Sequence, residues 1–261
     1  MTVLGPNLSE TVNIMSGGTG PDELRNELAA AHRIAARLGF VDLIHNHLSA
    51  RLVDANDKFL MTPYGYWFSE VTKSSLLEID NSGEMTGRDM NPAGFIIHEA
   101  IYSARSDVKA VFHTHTKAGV AVSVMQRGLL PISQYALRFY GKVAYHDYEG
   151  ATLVPGERKR LQECVRDPNV SILVLRNHGM VTLGASVADA FLKMYFLDRA
   201  CDVQISLCNS GESLIEPPAE ICELTARQFL GSEEEDMDKK LALEWSALKR
   251  LVADETMDYE Q

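Results

Sequence analysis

Two short apolar runs, each ending in histidine, constrain this chain more than any other feature. Val108, Ala110, Val111 and Phe112 read as a buried strand that runs straight into His113-Thr114-His115. Residues at i and i+2 project from the same side of a strand, so both imidazoles can reach one point. A second run, Ser171-Ile172-Leu173-Val174-Leu175, ends in Arg176-Asn177-His178-Gly179. A third imidazole thus stands at another strand end, followed by a glycine that lets the backbone turn or approach closely. Three neutral imidazoles converging from two strand ends suit a divalent transition metal with open coordination positions. They equally suit histidines satisfied within a core, and spacing alone does not separate the two readings.

The length of 261 residues allows one large domain or at most two. A net charge of -11 and a pI near 5.2 argue against a nucleic-acid or anionic-membrane surface, which would need clustered Lys and Arg. No run approaches the roughly 18 apolar residues of a membrane span. Residues 1–20 have no basic region followed by an apolar stretch, so a cytoplasmic location is expected. Cys164, Cys201, Cys208 and Cys222 show no C-x-x-C spacing. Cys201 and Cys208 fall on apolar helical positions, which suggests buried free thiols in a reducing compartment.

Residues 1–20, rich in Gly, Ser, Thr and Asn, read as a flexible arm. Pro21-Asp22-Glu23 opens a helix whose stripe is Leu24, Leu28, Ala31, Ala35 and Leu38, with Gly39 as its stop and His32 beside the stripe. Residues 48–53 and 59–61 pattern as a hairpin joined by Asp54-Ala55-Asn56-Asp57, and Thr62-Pro63-Tyr64-Gly65 as a turn that needs positive φ at the glycine. A one-turn helix over 71–75, a strand over 76–79 and a turn-rich piece over 80–92 follow. Helices are expected over 95–105 and 117–125, and short strands over 130–132 and 143–145. After Pro155-Gly156 a charged helix runs to Val165. Ser186-Val187-Ala188-Asp189 resembles a capping box opening a mostly apolar helix to Cys208. Two terminal helices, 220–230 and 236–251, flank an acidic run at 233–236, and Trp245 and Leu248 should pack the last one down. The order is helix, strands, helix, strand, helix, strands, helix, strand pair, helices. Strands cluster in pairs and few βαβ units occur, so the expected class is α/β, a mostly antiparallel or mixed sheet with helices on both faces.

From about Asp22 to Gly211 the chain resembles the class II aldolase/adducin family. The resemblance rests on His98-x-x-x-Tyr102, on Arg105-Ser106-Asp107-Val108-x-Ala110-Val111-x-His113-x-His115, and on Asn177-His178-Gly179. Asn46-His47-Leu48-Ser49-Ala50-Arg51, Gly128-Leu129-Leu130-Pro131-Ile132-Ser133 and Leu173-Val174-Leu175-Arg176 resemble the adducin branch more than the sugar-phosphate aldolases. The resemblance implies a single α/β/α domain on a central, largely antiparallel sheet, here 21–211, and the terminal helices over 212–261 are expected as an extension packed on it. It also implies a homo-oligomer, a tetramer or dimer, with sites at subunit boundaries. A divalent ion would be held by His113, His115 and His178, most simply zinc, with iron, manganese or cobalt as alternatives. The implied activity is that of a lyase, an aldolase or decarboxylase, on a small carbonyl compound; the alternative is a non-catalytic, adducin-head-like module for oligomerisation or partner binding.

The chain departs from the sugar-phosphate aldolases at the glutamate that serves as acid/base four residues before the histidine matching His98. That position is Gly94, which can neither transfer protons nor bind metal through a side chain. Glu99 lies five residues further, about 500° of helical rotation and so roughly 140° off that face, and is expected at a surface or interface. Two serines of the family's phosphate site are replaced by Pro92 and Ala93, and the Gly-Asn of its early loop reads Asn46-His47. Only Gly65 is retained. An unphosphorylated hydroxy or keto compound is therefore expected, met by His47, Tyr64 and Gly65. The catalytic acid/base is not identified by the sequence; His47, Tyr64, Tyr66 and Tyr140 are the groups to inspect, each with a stacking or capping role as the simpler reading. His98 is expected to orient the loop or a ligand from behind, and His45 and His146 to be structural.

Overall fold

The computed structural model describes residues 20–52, 58–80, 90–150, 154–230, 234–253 and 259. The N-terminal arm, the Asp54–Asp57 turn and most of the turn-rich piece before Pro92 lie outside them. Among the described residues, seven strands form one sheet: β1 (His47–Arg51), β2 (Lys58–Met61), β3 (Leu77–Asp80), β4 (Ala110–Thr114), β5 (Val143–His146), β6 (Ile172–Leu175) and β7 (Gly179–Gly184), in the order β3-β2-β1-β4-β7-β6-β5. Every pairing is antiparallel except β5 with β6, so the sheet is mixed, as the clustering of strands in the sequence implies.

Helices cover both faces. α1 (Pro21–Arg37), α3 (Lys117–Ser123), α6 (Val187–Cys208) and α8 (Glu234–Arg250) lie on one, around a core that includes Leu28, Phe112, Phe191 and Trp245. α2 (Pro92–Ala104) and α5 (Glu157–Val165) lie on the other, with Phe95, Ile101, Val111 and Leu173 between them and the sheet. The two-residue period of β4 divides the cores: Ala110 and Phe112 face α6, while Val111 faces α2. α4 (Gln134–Leu137) packs beside α6, and α7 (Ala219–Gln228) packs on α4. Trp245 anchors α8 by packing tilted against Phe191 and donating from Nε1 to the Glu27 carboxylate, which also takes Lys249 Nζ at 2.7 Å.

Several local expectations shift. α2 starts at Pro92 rather than near Phe95, because Asn91 caps it by accepting from the Ala93 and Gly94 amides and proline suits the first turn. The one-turn helix is a 3-10 turn at Phe68–Glu70, closed by the Glu70 side chain on the Trp67 amide, with only a turn over Thr72–Ser75. Residues 130–132 are not a strand: the Leu130 amide donates to Gln204 Oε1, and Pro131 has no N–H to offer a ladder. Ser186 accepts from the Asp189 amide as a cap should, but Asp189 reaches back to Ala185 rather than to Ser186. Cys201 and Cys222 are buried, whereas Cys208, on the last turn of α6, is exposed. Glu99 is also corrected: it is 1% exposed, held by Ser103 Oγ and the Arg158 guanidinium of α5, on a flank of α2 away from the histidines. His32 is a packing residue, bonded at 2.7 Å to both Leu28 O and Thr62 Oγ1.

Candidate metal centre and its cavity

Because Val111 faces α2, the period of the strand sends His113 and His115 to that face as well. β7 runs antiparallel beside β4 with Met180 opposite Thr114, so the residues just before it arrive next to His115. Asn177 adopts φ +58°, a left-handed turn that Asn tolerates, and swings His178 inward. Gly179 contributes by close approach rather than by turning: a Cβ there would sit 2.5 Å from Thr114 O and 3.0 Å from the His115 ring.

The three imidazoles come together, with ligand atoms all within 4.8 Å of one another. His115 Nε2 lies 2.8 Å from both His113 Nε2 and His178 Nε2. His113 Nδ1 faces Met180 O at 3.0 Å, and His115 Nδ1 faces Asp42 Oδ2 at 2.9 Å. A carbonyl and a carboxylate are acceptors, so both Nδ1 atoms carry the proton and both Nε2 atoms present bare lone pairs to each other. Two acceptors at 2.8 Å with no proton between them repel, and a cation at that point reverses the sign. The donor set therefore fits a metal ion held by His113, His115 and His178. Burial, reinforced by the neighbouring histidines, holds the His113 pKa well below the usual imidazole value and that of His178 at about 4, which keeps both rings unprotonated.

Asp42 reaches His115 from a loop in which Leu43 takes φ +50°, a strained conformation for leucine. Asn46 Oδ1 accepts from the His115 amide at 3.0 Å and fixes the same residue from the other side. Neither Asp42 nor this role of Asn46 was legible in the sequence: the contacts span about 70 residues and follow no periodic pattern.

His47 pairs across the sheet with His113, and their rings lie 4.7 Å apart. Its Nδ1 is 2.7 Å from His98 Nε2; His98 Nδ1 bonds Ser49 Oγ, which meets Tyr102 OH at 2.7 Å. Burial keeps His98 neutral, with its pKa at about 3, and pushes the Tyr102 hydroxyl upward. The far end of this relay, His47 Nε2, lies where a side chain at position 94 would begin: a Cβ on Gly94 would be only 2.6 Å away. The space a family glutamate would enter is filled by His47. His98 orients His47 rather than touching the triad through any hydrogen bond among the described residues.

The triad opens into a cavity of about 480 Å³ lined also by His47, Tyr64, Ala93 and Gly94 and, at its far side, by His146, Glu149 and Glu157. Tyr64 is 40% exposed at this cavity, and Gly65 adopts the expected positive φ of 96° but does not line it. Tyr66 and Tyr140 lie outside the lining. His45 is exposed at the cavity. His146, expected to be structural, also lines it: its buried Nε2 has no hydrogen-bond partner among the described residues and faces Glu149 and Glu157 at 3.6 and 3.9 Å.

The sequence profile of the class II aldolase and adducin N-terminal domain matches residues 26–205. The chain belongs to this family. A Pseudomonas aeruginosa protein classed by name with the class 2 aldolases is 40% identical over 242 residues, 92% of each chain. Alpha-adducin of Rattus norvegicus is 44% identical over 198 residues, which cover 74% of this chain but only 27% of that much longer protein. Among solved structures, an aldolase II superfamily protein from Pseudomonas syringae superposes with a TM-score of 0.84 at 38% identity, covering 95% of this chain and 98% of that one. An L-fuculose 1-phosphate aldolase from Glaciozyma antarctica gives 0.76 at 25% identity over 98% and 96%. His113, His115 and His178 form a cluster that could hold a metal ion, and no helix among the described residues is long and apolar enough to cross a membrane.

Proposed function

We propose that this chain is a metal-dependent, lyase-type enzyme, an aldolase or decarboxylase acting on a small, unphosphorylated hydroxy or keto compound. One observation carries the reading: two imidazole nitrogens forced into acceptor form face each other at 2.8 Å, with a third at the same distance. A divalent ion bound there, zinc or else iron, manganese or cobalt, would supply Lewis acidity toward the oxygens of a carbonyl compound.

The chain's own groups do the rest. His113, His115 and His178 hold the ion, while Asp42 and Met180 O keep the first two in the ligating tautomer. His47 offers a neutral Nε2 to substrate oxygen in the place of the absent glutamate, positioned by His98, Ser49 and Tyr102. Tyr64 lines the cavity from the turn it shares with Gly65. Ala93 and Gly94 bring no side-chain donor to a phosphate, which favours an unphosphorylated substrate. We place the protein in the cytoplasm as a homo-oligomer of four or two copies. We further read 21–211 as the metal-binding domain and 212–261 as an extension packed on it, a division supported by Trp245 and Lys249 on Glu27.

The test is metal analysis of protein purified without added ions, followed by a screen of hydroxy and keto acids for thermal stabilisation and turnover. Substoichiometric metal in wild type, or full turnover by His115→Ala, would sink the reading. Gly94, together with the likeness to alpha-adducin, favours a second reading, a non-catalytic module that keeps the fold for oligomerisation or partner binding. Stoichiometric metal without turnover of any screened compound would support it.

A further inference from the structure

A second cavity, of about 280 Å³, lies at the opposite end of β5 and β6 from the histidines. Lys142 and Ser171, the residues immediately before those strands, line it, whereas His146 and Arg176 at the other ends line the first cavity. Four residues of strand separate the two, about 13 Å.

Its lining is unusual for a chain of net charge -11. Arg138, Lys142, Lys193 and Lys240 face it, against two carboxylates, Asp189 and Glu244. Lys193 is committed locally, to Asp189 at 2.7 Å and Leu183 O at 2.9 Å. Lys142 makes no direct ion pair among the described residues. Burial and the nearby Lys193 push its ammonium below the ordinary lysine range, so its charge is held at a cost. The Arg138 guanidinium is clamped between Phe196 and Phe229, 3.7 and 3.9 Å from the ring centres, and its Nε is buried with no hydrogen-bond partner among the described residues. Buried donors without acceptors are rare, and among the described lining residues cations exceed carboxylates by two around a concave, aromatic-walled space.

We propose that this cavity is a second ligand site, distinct from the histidine centre, that binds a small organic dianion: a phosphate group on an aryl or alkyl body. The phosphate answers Lys142, Lys240 and the Arg138 edge. The apolar body lies against Phe196, Phe229 and Leu192. Two surplus cations match the charge of a phosphate monoester near neutral pH, and the apolar walls distinguish it from inorganic phosphate.

The test uses the full-length, metal-loaded protein with phenyl phosphate, inorganic phosphate, and sodium chloride at matched ionic strength, read by thermal unfolding and titration calorimetry. Phenyl phosphate should raise Tm and bind more tightly than inorganic phosphate, and chloride should do neither. Lys142→Met, which removes the strained charge, should fold and weaken phenyl phosphate by at least about tenfold, the usual worth of a charged hydrogen bond. The exposed Lys240→Gln should weaken it several-fold. His115→Ala should leave this binding intact, which separates it from any phosphate bound at the metal. Binding that survives Lys142→Met and Lys240→Gln unchanged, that disappears with His115→Ala, or that chloride reproduces would overturn the proposal.

Discussion

Replacing Asp42 by Asn tests the metal reading where it is least redundant. The Asp42 carboxylate accepts the His115 Nδ1 proton at 2.9 Å. An amide oxygen can accept that proton too, but without the charge that makes Nε2 a better donor to a cation, and an amide turned to present NH₂ would favour the wrong tautomer. Losing such an outer partner weakens metal binding by about 10- to 100-fold. With metal in large excess over Kd, the stabilisation it confers falls by the logarithm of that ratio, about 1.4–2.7 kcal/mol. For a chain of this size that is about 3–11 °C in the Tm of the loaded protein. The Asp42 side chain is 43% exposed and an asparagine oxygen can still accept the His115 proton, so in chelator the variant should melt close to wild type. The assay is a pair of melting curves, with excess zinc and with EDTA, supplemented by competition against a chromogenic chelator. An equal drop in both curves would make Asp42 a structural residue. Unchanged metal affinity would refute the tautomer argument itself.

Acid should unfold the metal-free protein steeply. His32, His98 and His178 have folded pKa values of about 4, 3 and 4, and His47 and His113 are also lowered, so between pH 6.5 and about 4 the unfolded chain binds more protons than the fold. Stability is full above 6.5 and falls as pH drops through this window, by about 1.4 kcal/mol per pH unit for each such histidine acting alone. Denaturant melts in EDTA at pH 7, 6 and 5 would read it, and a flat profile would contradict the buried, neutral rings. Gly94→Ala should push aside His47, whose Nε2 is 2.6 Å from the new methyl; metal content should hold while turnover falls by about tenfold or more. A fully active variant would remove His47 from the chemistry. Gly179→Ala should cost about 1–3 kcal/mol by overpacking and weaken metal binding, because its methyl meets the Thr114 carbonyl, a backbone atom that cannot rotate away; wild-type Tm and affinity would show that β4 and β7 can part freely.

What was legible in the sequence is what local periodicity encodes. β4 and the shared face of His113 and His115 follow from an apolar run with a two-residue repeat. The β1–β2 hairpin follows from two short apolar strands around a polar turn, and α6 from a cap and a long apolar segment. β7 had no readable span of its own, since Gly179, Thr182 and Gly184 break the run, and its burial comes from β4 and β6 on either side and from α6 and α3 packed across it. The burial of Glu99 was equally hidden. Helical rotation correctly turns it from the histidines, but the Arg158 that buries it comes from α5 on another segment. The place of His146 at the cavity was hidden too, because nothing in its neighbourhood reveals that β5, paired parallel to β6, ends beside the turn carrying His178.

Gly94 and His47 look, in the sequence, like two separate losses: a missing carboxylate and an altered loop. In three dimensions they are one exchange. A side chain at 94 and the imidazole at 47 compete for the same volume, since a Cβ on Gly94 would lie 2.6 and 2.7 Å from two atoms of the His47 ring. A glutamate there would require a smaller residue at 47, and a histidine at 47 requires a glycine at 94. The histidine is also supported, by a hydrogen-bonded line through His98 and Ser49 to Tyr102, under the Arg51 guanidinium at 4.6 Å from that ring. A site decaying toward a scaffold would have no reason to hold four buried polar side chains in register, because each one left unsatisfied costs stability. The replacement of a flexible carboxylate by a positioned, neutral imidazole instead argues for altered proton handling beside a retained metal centre. This favours a changed reaction or substrate over a lost one.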